Sequence, residues 1–373
     1  MEAPYDGSVR VALAEAYYGG SHKAWADGYA VNSGHDVTLV THEARFWKWR
    51  MHGAHLTLAA NLAEVLDAAP DVLLASSMMN VASLAGAARH TIGDAPIAVY
   101  FHESQFAYPV SPLDRPDQTY PMVNWSSAAV ADLAIFNSEF HRTIFFEEAE
   151  RFLRRFPDRR HGHMVANVRD RSIVLPVGVD LQRIGIPTGR VGGPPLILWN
   201  QRWEHDKGPD KFVALIEALV AEGLAFDVAV VGEQFVSAPE SFDRLPELLG
   251  DRLVAFGFVT DDEYVGLLRR ADIVVSTADH EFFGIAIVEA IAAGAFPVLP
   301  NGLVYPERVP EPYRVRCLYD DAGALLSCVR WAFEHPNEAA GVAKDLAATV
   351  AKYNWSVVAP AYDAALESLV AAE

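Results

Sequence analysis

DIVVSTADHEFFGIAIVEAIAAGAFPVLP, residues 272–300, decides the fold. DIVVST (272–277) and FPVLP (296–300) are short apolar runs without polar alternation. Runs of that kind suit strands buried on both faces. Between them, Phe283, Gly284 and Ile285 open a helical pattern, and Gly294 stops it. Ile287, Val288, Ala290 and Ile291 make that helix apolar nearly all round. Strand, helix, strand implies a parallel sheet covered by helices.

The same unit repeats along the chain. Further strands are expected at VRVALA (9–14), DVTLVT (36–41), DVLLAS (71–76), IAVYFH (97–102), DLAIFNS (132–138) and SIVLP (172–176). The second half adds LILWN (196–200), DVAVVG (227–232), LVAFG (253–257) and VRCLY (315–319). Twelve strands fit two sheets better than one, and 373 residues suit two domains. GVDLQRIGIPTGRVGGPP (178–195) is rich in Gly and Pro and reads as the seam. The expected architecture is α/β: two doubly wound Rossmann-like domains, 1–178 and 179–354, facing each other across a cleft. Ligands in such folds sit beyond the carboxyl ends of the strands.

Bulk properties exclude several classes. Half of the residues are apolar, far from a disordered composition. No apolar run reaches membrane-spanning length. Cys317 and Cys328 are the only cysteines, which rules out a disulfide framework or a Cys-rich metal site. MEAPYDGSVR has the features of neither a signal nor a transit peptide, so a cytoplasmic protein is expected. A net charge of −19 argues against indiscriminate nucleic-acid binding and leaves room for a local basic strip.

Three stretches offer chemistry. In EAYYGGSHK (15–23), Gly19 and Gly20 allow a tight turn and a close backbone approach to a ligand. Ser21 is placed to cap a helix starting near His22 or Lys23. The plainer alternative is an ordinary strand-to-helix turn. WNQRWEHDKG (199–208) places Arg202 and Lys207 past a strand end, a fork and a point charge suited to a diphosphate. The alternative is a solvated loop neutralised by Glu204 and Asp206. In the third, Glu281 precedes the helix, and Glu289, separated from Glu281 by seven residues, lies on the helix one to two turns in. Backbone amides at Phe283, Gly284 and Ile285 can take a phosphate. A carboxylate at Glu289 can accept from vicinal hydroxyls such as those of a ribose, or it is merely a surface acid. If buried, it needs partners. Asp261–Asp262 read as helix-start acids, not as a metal motif, and no metal is expected.

Taken together, these elements resemble the retaining family 4 glycosyltransferases of the GT-B fold. NWS (354–356) resembles the point where the tail crosses back to the first domain, adding 355–373 to it. A closer resemblance lies in EAYYGGSHKAWADG, ARFWKWRMHG, FHESQFAYP (101–109), FNSEFHR (136–142), WNQRWEHDKG and STADHEFFGIAIVEA. These strings are similar to the tRNA-queuosine α-mannosyltransferase family. That resemblance implies mannose transfer from GDP-mannose, a nucleotide-sugar substrate and not a cofactor, onto queuosine in a tRNA anticodon loop. It implies that Arg202 and Lys207 neutralise the leaving diphosphate and that Glu281, with the amides of Phe283, Gly284 and Ile285, holds sugar hydroxyls and phosphates. Glu289 binds the ribose, and Gly19 and Gly20 admit the donor phosphates and the acceptor. His102 lies beside the donor sugar; its plainer alternative is a satisfied buried histidine. Retention by front-face attack is implied, and Gln201 stands where many relatives carry Gly.

RFWKWR (45–50) alternates cations with aromatics after the second strand. Such a strip stacks unpaired bases and meets phosphates. With Ser21, His22 and Glu103, the residues Arg45, Trp47, Lys48, Trp49 and Arg50 are the expected acceptor contacts. Alternatively Phe46 and Trp49 share a helix face packed on the core, with Arg45, Lys48 and Arg50 solvated. RFLRRFPDRRHGHMVANVRDR (151–171) holds seven Arg against two Asp, suited to a tRNA backbone or to a solvated loop. Two other functions compete: a GT-B transferase with a small-molecule or lipid acceptor, and a non-catalytic RNA-binding module. The second is expected to have lost the donor-site charges, all of which are present.

Overall fold

The computed structural model describes residues 8–107, 117–185, 192–234 and 239–372. Tyr108 and Pro109 of the FHESQFAYP string and residues 186–191 of the seam lie outside the described residues. The chain divides into two compact units, Met1–Val179 with Trp355–Glu373, and Asp180–Asn354.

In the first unit the strands are β1 (Arg10–Tyr18), β2 (Asp36–Glu43), β3 (Val72–Ser76), β4 (Ile97–Phe101), β5 (Leu133–Phe136) and β6 (Ser172–Val174). They pair in the order β2-β1-β3-β4-β5-β6, every pair parallel. In the second unit they are β7 (Leu196–Trp199), β8 (Asp227–Val231), β9 (Leu253–Gly257), β10 (Ile273–Val275), β11 (Phe296–Pro300) and β12 (Leu318–Tyr319). Their order is β12-β11-β10-β7-β8-β9, again parallel throughout. Every residue of β3, β4 and β7 is buried, which is why these runs read as continuously apolar.

This topology selects the functional ends. In the second unit the strand order reverses between β7 and β10, the position beyond whose carboxyl ends such sheets bind ligands. The loops that leave those ends are 200–208 and 276–284. In the first unit the reversal lies between β1 and β3, which places the β1 loop and Ser76 together.

Two local expectations are corrected. VRCLY is not a strand throughout: Glu311–Cys317 is a helix, and only Leu318–Tyr319 pair. Pro312 lies in the first turn and Val315 is exposed, so the short apolar run belongs to a surface helix. The helix after β1 spans Gly20–Asn32 with Gly19 at its N-cap. Ser21 is therefore exposed inside the first turn and caps nothing.

The C-terminal helix Trp355–Val370 packs on the helix Gly20–Asn32. Trp25 Nε1 donates to the Tyr362 hydroxyl at 3.2 Å, and the Tyr29 hydroxyl donates to Asp363 at 2.9 Å. The Trp355 ring fills the space where side chains at Gly28 and Gly178 would stand, 2.2 and 2.1 Å from an added Cβ.

Candidate active site

Lys207 is the centre of the charged group in the second unit. Its loop is held to β10 by two bonds: Thr277 Oγ1 donates to the Lys207 carbonyl at 2.8 Å, and the Asp279 amide donates to the Asp206 carbonyl at 2.8 Å. Gly208 has φ +63, and a Cβ there would lie 2.2 Å from the Thr277 carbonyl oxygen, so only glycine fits. Lys207 is buried. Its Nζ donates to the His280 carbonyl at 2.8 Å and lies 3.2 Å from Asp206 and 3.4 Å from Glu281. Burial alone lowers such an ammonium, but the two acids outweigh it and hold Lys207 above its usual value. The solvated-loop alternative therefore fails for Lys207. Arg202 does lie at the surface, 3.3 Å from Glu204. Gln201 is buried and donates to Ser276 Oγ at 2.6 Å, bracing the loop against the β10 end.

Glu281 corrects one expectation. Its Oε1 accepts from the amides of Phe282, Phe283 and Gly284 at 3.1, 3.3 and 3.0 Å. Two of the amides expected to meet a phosphate are thus already bonded by the neighbouring acid. Burial raises the Glu281 carboxyl, but Lys207, the Phe283 amide and Arg202 pull it below its usual range. The helix itself is Ile285–Ala292 with Gly284 at its N-cap in the left-handed region, φ +79.

Glu289 is buried and partnered, which removes the surface-acid alternative. The Tyr264 hydroxyl donates to Oε2 at 2.8 Å, and the Arg183 guanidinium donates to Oε1. Sequence reasoning missed both partners. Arg183 falls in the seam read as linker, and Tyr264 lies in the helix Asp261–Arg270 started by a Thr260–Glu263 capping box. The signal available was the buried acid itself, whose need for donors was legible without their identity.

In the first unit, Glu15 lies on β1 and is fully buried. It accepts from the Tyr17 amide at 2.7 Å, Ser76 Oγ at 2.9 Å and, across 3.1 Å, pairs with His22 Nδ1. His102 follows β4; its Nε2 lies 3.8 Å from Glu15, and its ring centre lies 3.9 Å from that of His22, the two planes tilted by 35°. Burial first, then His22 and His141, push His102 well below the usual histidine value, so it is neutral. Glu15, His22 and His102 are, among the described residues, the group with metal-type ligand atoms within 4.8 Å. The imidazoles lie against each other at 35°, and Glu15 already has three donors. Sequence reasoning also missed Glu15. Gly20 takes φ +50, whereas Gly19 is extended and its missing side chain leaves room for Ala44 Cβ, 2.4 Å from an added Cβ. Glu103 is half-buried and accepts from Gln105 at 2.7 Å.

RFWKWR matches neither expectation fully. Phe46 is the left-handed N-cap of the helix Trp47–Val65, not a residue on its face. Phe46 and Trp49 are exposed, 77% and 64%. Trp47 packs against Tyr120, with Lys48 over its indole, and Arg45 is exposed. Arg50 is the correction: it is buried, and its Nε donates to the Glu43 carbonyl at 3.1 Å, so it anchors the helix start instead of facing an acceptor. In the 151–171 cluster, Arg151 pairs with Glu148, Arg154 with Glu150, and Arg171 donates to the Ala129 carbonyl at 2.6 Å.

Comparison with known proteins fits this geometry. The tRNA-queuosine alpha-mannosyltransferase of Drosophila melanogaster is 35% identical over 327 residues, covering 84% of each chain. The chain belongs to the tRNA-queuosine alpha-mannosyltransferase family. That family's N-terminal profile matches residues 10–179, and the group 1 glycosyl transferase profile matches 185–314. The 2-deoxystreptamine glucosyltransferase of Streptomyces kanamyceticus is 28% identical over 67% of this chain and 68% of its own. Among solved structures, sucrose-phosphate synthase from Thermosynechococcus elongatus superposes with TM-score 0.74 at 18% identity, over 97% of this chain and 99% of that one. Anabaena HepE, solved with UDP and glucose, gives 0.68 at 17% identity over 96% and 100%. The fold is GT-B, and this member of the family is a glycosyltransferase. No helix among the described residues is long and apolar enough to cross a membrane.

Proposed function

We propose that this chain transfers mannose from GDP-mannose to queuosine in a tRNA anticodon loop, with retention at the sugar. The observation that carries the reading is the family match across residues 10–179, the unit that holds Glu15, His22, His102 and RFWKWR. The second unit supplies the charges a nucleoside diphosphate needs. Lys207, charged and immobilised by Asp206 and Glu281, stabilises negative charge growing on the leaving diphosphate without reorganising. Arg202 turns from Glu204 to the same phosphates. The Ile285 amide, which Glu281 does not engage, is offered to a phosphate. The neutral His102 ring accepts a hydrogen bond from a sugar hydroxyl. In the step itself the bond from the anomeric carbon to the phosphate oxygen breaks. The acceptor oxygen bonds that carbon on the same face, and its proton passes to the departing phosphate. No pair of carboxylates flanking the bond is required, in contrast to retaining glycosidases.

The test is radiolabelled transfer from GDP-mannose to bulk tRNA drawn from cells with and without queuosine. Label only on queuosine-containing tRNA is the expected result. No label on either, with GDP-mannose still bound, overturns the acceptor and leaves the transferase.

The exposed rings give a second prediction. Phe46→Ala with Trp49→Ala is expected to raise the tRNA KM about tenfold or more, since base stacking is worth about 1–3 kcal/mol per base. GDP affinity and melting temperature stay unchanged, because both rings face solvent. An unchanged tRNA KM in the double variant removes the strip from the acceptor surface.

A further inference from the structure

We propose that Arg183 and Tyr264 are positioning residues that hold Glu289 as an acceptor-only carboxylate, one on each oxygen, for a vicinal diol of the donor's ribose. The inference rests on the donor reading above and extends it to two residues outside the motif strings quoted for the family. The direction of each bond follows from donor inventory. Asn200 Nδ2 donates to the Ala286 carbonyl at 2.9 Å and to the Tyr264 hydroxyl at 3.0 Å. The Tyr264 oxygen thus accepts from Asn200, and its one proton points to Glu289 Oε2, 2.8 Å away. Arg183 has only donors, so Oε1 must also accept. Each carboxylate oxygen keeps a lone pair, and the two lone pairs match two adjacent hydroxyls.

A protonated Glu289 does not fit this arrangement, because its own proton would compete with Arg183 or Tyr264. The environment nevertheless pushes toward protonation. Burial raises the Glu289 carboxyl above its usual range, and Asp180 adds to that, while Arg183 and Tyr264 oppose it. Asp261 faces Arg183 and helps keep it charged. Arg183 is the only cation among these groups. Its side chain is about one-third exposed, and the melting temperature of each variant is read beside its binding data.

The experiment compares wild type, Arg183→Gln, Arg183→Lys and Tyr264→Phe. GDP binding is measured by calorimetry from about pH 5.5 to 8.5, and the infrared band of a protonated carboxyl is followed over the same range. Wild-type affinity is expected to follow the ionisation of the GDP terminal phosphate, and each variant is read as its ratio to wild type at the same pH. Arg183→Gln is expected to weaken GDP binding about tenfold at the acid end and to recover toward the alkaline end, where Glu289 ionises. Arg183→Lys restores most of the affinity, and Tyr264→Phe costs several-fold at every pH. The acid-end band appears in Arg183→Gln and disappears on adding Glu289→Gln. Absence of that band, or an affinity equal to wild type at every pH in Arg183→Gln, overturns the proposal. The band present in a protein that binds no GDP supports the held carboxylate and counts against GDP-mannose as donor.

Discussion

Replacing Lys207 by Met is expected to lower kcat/KM about a thousandfold. Loss of one preorganised group facing developing charge costs roughly a hundred- to a thousandfold. Lys207 is at the upper end because burial keeps water from replacing it and its bond to the His280 carbonyl fixes its position. The same substitution also destabilises the second unit, since Asp206 is left buried beside Glu281 with no cation between them. Breaking a buried pair costs about 3–5 kcal/mol, and Glu281 is only half-buried, so the low end applies. The two effects separate in Lys207→Met with Glu281→Gln. That double variant recovers stability in a denaturant titration and recovers no activity in single-turnover transfer. Activity of Lys207→Met within tenfold of wild type removes this residue from the leaving-group role.

Trp355→Ala is expected to cost the first unit about 3–5 kcal/mol, the range for emptying a buried aromatic site. The ring is 5% exposed and lies against backbone at Gly28 and Gly178. Backbone on both sides cannot collapse into the void, so relaxation recovers little. The indole also starts the helix whose Tyr362 and Asp363 bond Trp25, Tyr29 and Ser33. Gly178→Val is the reciprocal change: its side chain would meet the ring at near 2.1 Å and expel it. Both variants are expected to lower the urea midpoint by similar amounts, read by the fluorescence of the first unit. A loss below about 1 kcal/mol for Trp355→Ala means that the helix is held by its hydrogen bonds and not by the indole.

The parallel sheets, the strand-end position of the charged loops and the family strings were all legible in the sequence. The reason is physical: strands buried on both faces are written as continuous apolar runs. Short elements were not legible. Glu311–Cys317 and Leu318–Tyr319 share one apolar run, and period alone cannot divide it.

Charge identity belonged to the sequence; charge partnership did not. The residues themselves marked Lys207, Glu281 and Glu289 as candidates and showed that an acid, if buried, needs donors. Only the fold decided that Arg183, 106 positions away, supplies one of them. Only the fold turned Glu281 onto its own neighbouring amides, buried Arg50 and left Phe46 and Trp49 in solvent. Hydrophobic pattern is a property of consecutive residues and survives in one dimension. Desolvation and hydrogen-bond pairing depend on what the chain brings within about 3 Å, and that distance is set by tertiary packing.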